Sequence, residues 1–202
     1  TVISPSTKSI IANFRAKYPA ARHVIYDPVS YYSIAKGHYN VMGSKVIPSF
    51  NFDKANVIVS FAADFLSNWL SPVEHAWQYA QGRKLNHGKK TLSRHIQFES
   101  ILSLTGSNAD LRIPMKPSQI GKAVISLHRA VAGMLDRKDV EFLNIPGKVL
   151  EKEIEQTASL LVTNPGKSLV VSGVNDTAIQ TVIASINKML GNYGSTLDIE
   201  NP

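Results

Sequence analysis

NVIVSFAADFLSNWLSPVEHAWQYAQG, residues 56–82, decides the fold. Val57 to Phe61 is a β-branched, apolar run without alternation, the pattern of a strand buried on both faces. The chain then turns through Ala62, Ala63 and Asp64. A helix restarts at Ser71-Pro72-Val73-Glu74, where serine as N-cap, proline at the first position and glutamate three residues on predict a capping box. Gly82 is expected to end that helix by taking the left-handed conformation. Strand, loop and helix make half of a βαβ unit, whose ligands sit in the crevice beyond the strand's carboxyl end.

Toward the amino terminus, Ser4-Pro5 opens a helix with Ile10, Ile11, Phe14 and Tyr18 on one face, stopped by Pro19. His23 to Tyr26 reads as a short strand. Residues 30–36 read as a short helix before Gly37, and Val46-Ile47-Pro48 as a brief extended piece. Toward the carboxyl terminus, His95 to Glu99 is the next strand, Leu104 to Asp110 a loop, and Leu111 to Met115 an extended segment. Pro117-Ser118 introduces a long helix with Ile120, Val124, Leu127, Val131 and Leu135 on one stripe. A further helix spans 146–162 through Leu150, Ile154, Ala158 and Leu161. Asn164 to Lys167 is a turn, and Ser168 to Ser172 the last clear strand. A helix capped by Asn175 or Asp176 follows, carrying Ile179, Val182, Ile183, Ile186 and Leu190 and closed by Gly191. Alternating strands and helices predict a three-layer α/β domain with a mostly parallel sheet. We expect one domain over 1–202, with two lobes, 1–138 and 139–202, as the other division.

At 202 residues the chain can bury roughly 70% of its unfolded surface and needs no metal or disulfide to fold. It has no cysteine, which excludes disulfides and cysteine-ligated zinc or iron–sulfur sites within it. It has no apolar run long enough to span a bilayer. The net charge of +7 raises a nucleic-acid reading. However, the densest basic patch, Arg83 to Arg94, interleaves no aromatic residue for base stacking, and a solvated or protein-facing loop is the simpler reading.

Gly166-Lys167-Ser168 resembles the end of a phosphate loop, but Leu161 stands where the pattern needs glycine, and a strand rather than a helix follows. No G-x-G-x-x-G follows any strand. The histidines (His23, His38, His75, His87, His95, His128) show no helical metal-site spacing, so they are read as surface or half-buried, with no metal site. No nucleophile elbow occurs, and no catalytic residue is assigned. Asp64 and Glu99 end or follow parallel strands and can enter one crevice, where two carboxylates suit acid–base chemistry. The simpler reading has Asp64 bonding nearby backbone N–H groups and Glu99 pairing with Arg112. Thr105-Gly106-Ser107-Asn108-Ala109-Asp110 is a polar loop expected at the same carboxyl edge.

Three segments together carry a resemblance. They are Ala55 to Leu66 with Ser71-Pro72-Val73-Glu74 and Gly82-Arg83-Lys84; Glu99-Ser100 with Ser103 to Arg112 and Lys116-Pro117-Ser118; and Ser168 to Gly173 with Asn187 and Leu190 to Gly194. In this order, over about Val24 to Leu197, the chain resembles the molybdopterin-oxidoreductase-like, iron–sulfur subunit of bacterial alternative complex III, a membrane-bound quinol oxidoreductase. The resemblance implies a Rossmann-like topology. It also implies a longer parent whose iron–sulfur clusters lie in a neighbouring domain after this piece, with other subunits of a respiratory electron-transport complex as partners. The implied location is the periplasmic face of the cytoplasmic membrane.

Catalytic molybdopterin enzymes carry Gly-x-Asn where this chain has Ala62-Ala63-Asp64, Pro-Arg where it has Glu99-Ser100, and Pro-Gly-Thr-Asp where it has Pro117-Ser118-Gln119-Ile120. Carboxylates thus replace glycine and arginine where a pyrophosphate needs N–H donors and positive charge. The expectation is a non-catalytic scaffold domain without molybdopterin. Its vestigial crevice comprises Ala63, Asp64, Glu99, Ser100, Thr105, Gly106, Asn108 and Asp110, and it binds proteins rather than nucleic acid. The rivals are a catalytic fragment with a modified cofactor pocket and a basic nucleic-acid-binding module.

Overall fold

The computed structural model describes residues 4–26, 28–85, 91–137 and 149–200. Two compact units emerge, Thr1–Ser30 and Tyr31–Pro202. The first contains helix α1, Pro5–Lys17, with Ser4 as N-cap, its hydroxyl accepting from the Thr7 N–H at 3.2 Å. His23 to Tyr26 is not a strand; Val24 and Tyr26 are each 81% exposed, and no described strand supplies the partner that its backbone groups would need.

The second unit is an α/β body. Its strands are β1 (Ser49–Phe50), β2 (Val57–Phe61), β3 (Arg94–Glu99), β4 (Leu111–Pro114), β5 (Ser168–Ser172) and β6 (Leu197–Asp198). Its helices are α2 (Tyr32–Met42), α3 (Pro72–Gly82), the single turn α4 (Leu104–Ser107), α5 (Pro117–Met134), α6 (Glu151–Val162) and α7 (Thr177–Met189). Four strands form a wholly parallel sheet in the order β4-β3-β2-β5, while β1 and β6 make a separate antiparallel pair. From β2 the chain steps outward through β3 and β4, then returns to the other side of β2 as β5.

The layers follow from side-chain alternation along β2. Val57, Val59 and Phe61 point into a core with Val124 and Leu127 of α5, Ile154 and Leu161 of α6, and Ile183 and Ile186 of α7. Ile58, on the opposite face, meets Phe52, Phe65, Trp69 and Tyr79 of the α3 side, together with Ile34 of α2 and Leu197 of β6. Every residue of β2 and of β5 is buried, as the uninterrupted apolar runs predict. Each large apolar side chain so enclosed contributes about 2 kcal/mol. Residues 149–200 belong to this same body, since β5 pairs directly with β2 and α6 packs on α5.

Two glycines leave room for a neighbouring element. Gly37 lies inside α2, which continues to Met42 and is capped by left-handed Gly43 (φ 75°). A Cβ on Gly37 would stand 2.7 Å from the Gln180 carbonyl carbon of α7, so the glycine sets the approach of two helices. Gly37→Ala should therefore cost about 1–3 kcal/mol in urea unfolding, the usual penalty for overpacking a tight contact. A change below about 0.5 kcal/mol would mean that the helices separate freely. Gly82 does end α3, as expected, but without the left-handed conformation; its missing side chain makes room for Ser93 Oγ, 3.1 Å from the Cβ position. The capping box expected there does not form: Ser71 makes no side-chain cap bond, and Glu74 accepts instead from Gln78 Nε2 at 3.2 Å.

The outer edge of β5 is closed by side chains. Asn187 of α7 accepts from the Val170 N–H at 3.1 Å and donates to the Val170 carbonyl at 2.7 Å, standing in for the next strand's backbone. Thr196 Oγ1 donates to the Ser168 carbonyl at 2.6 Å, and Gln180 Nε2 to that of Ser172 at 2.9 Å. An edge strand otherwise offers these groups for pairing with another chain.

Candidate functional site: the carboxyl edge of the parallel sheet

Where the strand order reverses, the loops leaving β2 and β5 lie against each other. Ala62 takes a left-handed backbone (φ 55°), which brings its carbonyl onto Gly173. A Cβ on Gly173 would collide with that carbonyl oxygen and stand 2.9 Å from its carbon. The Gly173 N–H donates to the Phe61 carbonyl at 2.9 Å, and the Ala62 N–H to that of Phe98 at 2.8 Å. Ala63 is fully buried, its N–H and carbonyl both bonded to Ser60 Oγ at 3.3 and 3.1 Å. At the point of reversal the two loops thus meet backbone to backbone.

Both carboxylates expected at this edge are present, and both fasten α4. Asp64 Oδ1 accepts from the Thr105 N–H at 3.0 Å and from Thr105 Oγ1 at 2.7 Å. Thr105 Oγ1 in turn accepts from the Leu66 N–H at 3.0 Å. Glu99, 2% exposed, accepts from Ser103 Oγ at 2.5 Å, the Ser103 N–H at 3.2 Å, Gln97 Nε2 at 3.2 Å and Arg112 Nε at 2.5 Å. Burial pushes the Glu99 carboxyl up, but the bonds from Ser103, Arg112 and Gln97 outweigh it and hold it below the usual carboxylate range. The structural reading of each carboxylate, Asp64 to a backbone N–H and Glu99 to Arg112, is the observed one. Because Arg112 compensates Glu99, the edge does not carry two uncompensated negative charges.

Residues 104–107 are not loop but one turn of helix, capped by Ser103, whose Oγ accepts from the Gly106 N–H at 2.9 Å. Gly106 is buried because the Glu99 carboxylate occupies the space of a Cβ there. The turn carries the chain away from the carboxyl edge. Asp110 consequently lies beside His95 at the amino-terminal end of β3, four residues and about 13 Å of strand from Glu99, while Asn108 lies between, its amide donating to the Leu104 carbonyl of α4 at 2.9 Å. The eight residues grouped from sequence therefore divide. Ala63, Asp64, Glu99, Ser100, Thr105 and Gly106 share one edge, Asp110 belongs to the other, and Asn108, which caps the end of α4, stands between them. Of the first group, Ser100 alone has a buried side-chain atom without a hydrogen-bond partner, its Oγ.

A buried polar chain that the sequence does not reveal connects these ends. His95, Gln97 and Glu99 alternate onto one face of β3. Tyr79 OH and His95 Nδ1 lie 3.2 Å apart, His95 Nε2 and Gln97 Oε1 also 3.2 Å, and Gln97 then donates to Glu99. Tyr79 OH also donates to the Asn108 carbonyl at 2.9 Å. Burial pushes His95 down to about 4, so the ring is neutral at pH 7. Arg83, expected to belong to a solvated patch, instead grips Asp110 with two bonds of 2.7 Å and donates to the Ser93 carbonyl at 2.6 Å. Asp110 Oδ2 also accepts from the His95 N–H at 2.7 Å. Arg94 is exposed, and residues 86–90 lie outside the described residues.

The histidines also differ from expectation. His38, His75, His95 and His128 are buried, and His87 lies outside the described residues. Burial is tolerated because the rings are neutral: His38 and His75, like His95, are pushed down to about 4. His38 Nδ1 shares a hydrogen bond with Tyr193 OH at 2.7 Å, and His128 Nε2 one with Ser185 Oγ at 2.9 Å. Among the described residues, no three metal-ligating side chains converge, and no helix is long and apolar enough to cross a membrane. No protein-family model and no curated protein matches the chain.

Proposed function

We propose that this chain is a non-catalytic, molybdopterin-oxidoreductase-like scaffold domain of a membrane-associated respiratory complex that oxidises quinol. In this reading its Rossmann-like sheet has kept the architecture and given up the nucleotide. The strand order β4-β3-β2-β5 supports it, since a sheet that winds outward from β2 and returns beside it is how doubly wound nucleotide folds begin. The observation that carries the reading is the Ala62–Gly173 backbone contact at the point of reversal. A dinucleotide there needs free N–H donors and room for its phosphates, whereas the N–H groups of Ala62, Ala63 and Gly173 are already bonded. The redox centres would lie in an iron–sulfur domain of a longer parent, and the working surfaces would be those facing neighbouring subunits at the periplasmic side of the membrane.

Titrating the purified chain with a molybdopterin dinucleotide tests this directly. The expected result is no saturable binding at ligand concentrations of about 100 μM, a free energy weaker than roughly −5.5 kcal/mol. Micromolar binding that perturbs the amide signals of Ala62, Asp64 or Gly173 would overturn the reading.

A further inference from the structure

His75 lies on the buried face of α3 with one ring nitrogen that finds nothing to bond. The side chain is 4% exposed, and its Nδ1 is buried without a hydrogen-bond partner. Three aromatic rings enclose it, with centroids at 4.9 Å (Phe52), 5.6 Å (Trp69) and 6.2 Å (Phe50). They come from the single turn Phe52–Lys54, the loop before α3, and β1. Among the described residues no charged side chain acts on the ring; besides burial, only the Trp69 backbone does. The nearest charged groups on these elements are engaged or turned outward: Glu74 accepts from Gln78, Asp64 from Thr105, Asp53 is half-buried and Lys54 exposed. Whichever nitrogen carries the proton at neutral pH, a second proton puts a charge among apolar rings with no acceptor at Nδ1.

Buried histidines gather on this side of the sheet. His95 faces it from β3, against Phe65 and bonded to Tyr79 and Gln97, with Arg83, Asp110 and Glu99 in electrostatic reach. His38 of α2 meets Tyr193, which packs on the same core, and no charged group acts on it. The opposite side, under α5, α6 and α7, buries one histidine among the described residues, His128 beside Ser185. Proton uptake therefore strains one side of the sheet far more than the other.

We propose that the α3 side of the sheet is an acid-released layer, in which proton uptake at His75 unseats α3 from Phe50, Phe52 and Trp69 while α5, α6 and α7 stay packed. Acid thereby bares an aromatic surface that neutral pH keeps enclosed. The imidazole titrates near 6.5 when freed and at about 4 inside, so opening and protonation favour each other. The closed layer is at full strength above pH 6.5 and weakens as pH falls toward 4. For this one ring the opening equilibrium should rise about thirtyfold from pH 7.5 to pH 5. The release and the scaffold role are independent, and either can fail without the other.

Amide hydrogen exchange of the full chain at pH 7.5 and pH 5, corrected for intrinsic rates, tests it. At pH 5 the α3 amides should exchange at least about tenfold faster than those of α5, through an opening that acid has raised about thirtyfold or more. His75→Phe should lower that acid increase by about thirtyfold, whereas His128→Asn, on the other side, should leave it unchanged. Equal exchange of α3 and α5 at pH 5, which would make the body one cooperative unit, overturns the proposal. So does an acid increase that survives His75→Phe in full. Should that variant fail to fold, the comparison of α3 with α5 in the wild type decides, together with nuclear magnetic resonance titration of the His75 ring. A ring that takes up its proton near pH 6.5 with α3 still protected refutes the release.

Discussion

Asn187→Leu should destabilise the protein by about 4 kcal/mol, the largest effect expected of any single change here. The side chain is 1% exposed and makes four hydrogen bonds: with the Val170 N–H and carbonyl, the Ile183 carbonyl, and Asn192 Nδ2 at 2.8 Å. Leucine fills the volume but leaves the N–H and carbonyl of Val170 and the Asn192 amide without partners, each costing about 1–3 kcal/mol when buried. A domain of this kind has only about 5–15 kcal/mol in total. Urea unfolding followed by far-ultraviolet circular dichroism measures the change. A loss below about 1 kcal/mol would mean that the edge of β5 finds another partner or reaches water. The exposed strand edge should also make the variant prone to self-association at concentrations where the parent chain is not.

Arg112→Leu should cost about 3 kcal/mol by stranding the Glu99 carboxylate, whose side chain is 3% exposed while that of Arg112 is 28% exposed. That loss is at the low end for a broken buried pair because water reaches the arginine. Glu99 is held below its ordinary value in the folded state, so its contribution to stability is present above the unfolded carboxylate value of about 4.3 and fades as pH falls through the lower folded value. Removing Arg112 should weaken that acid dependence as well as lower stability at pH 7. Adding Glu99→Gln should recover part of the loss, since the glutamine leaves no buried charge and its oxygen still accepts from Ser103. If the double variant is no more stable than Arg112→Leu alone, packing of the arginine stem contributes more than charge compensation does.

What the chain discloses before folding is sorted by range. β2, β5, α5 and α7 declare themselves because apolar runs and helical stripes are local and each is several residues long. β1 and β6 are two residues each and exist only because Ser49 and Asp198 meet across the chain. The alternation in β3 is that of a strand with one wet face, yet Tyr79 and Gln97 enclose His95 and keep that face dry. Gly37 looks like a helix terminator because a glycine needed for space reads the same as one needed for backbone freedom, whereas Gly82 does end α3 but gives room to Ser93 rather than a left-handed turn.

The edge site is legible in part. Asp64 and Glu99 fall after parallel strands, which is visible in sequence, and a backbone N–H and Arg112 are the natural donors to look for near them. Ser103 escapes that reading, although a serine three residues before a glycine is a recognisable cap; its bond to Glu99 ties the cap to the strand end. The division of the polar loop between two ends of β3 is not visible in advance, because it depends on one turn of helix whose length is set by tertiary bonds.

Glu99 sits where a side chain at position 106 would be, and it is held there by Ser103 and Arg112, while Asp64 holds the adjoining threonine. Substitution at any of these positions is therefore judged by the rest, and the set can drift only in concert. Descendants of this chain would retain it through folding alone, so an invariant Asp64, Glu99 and Gly106 across future alignments would be no sign of a molecule bound there.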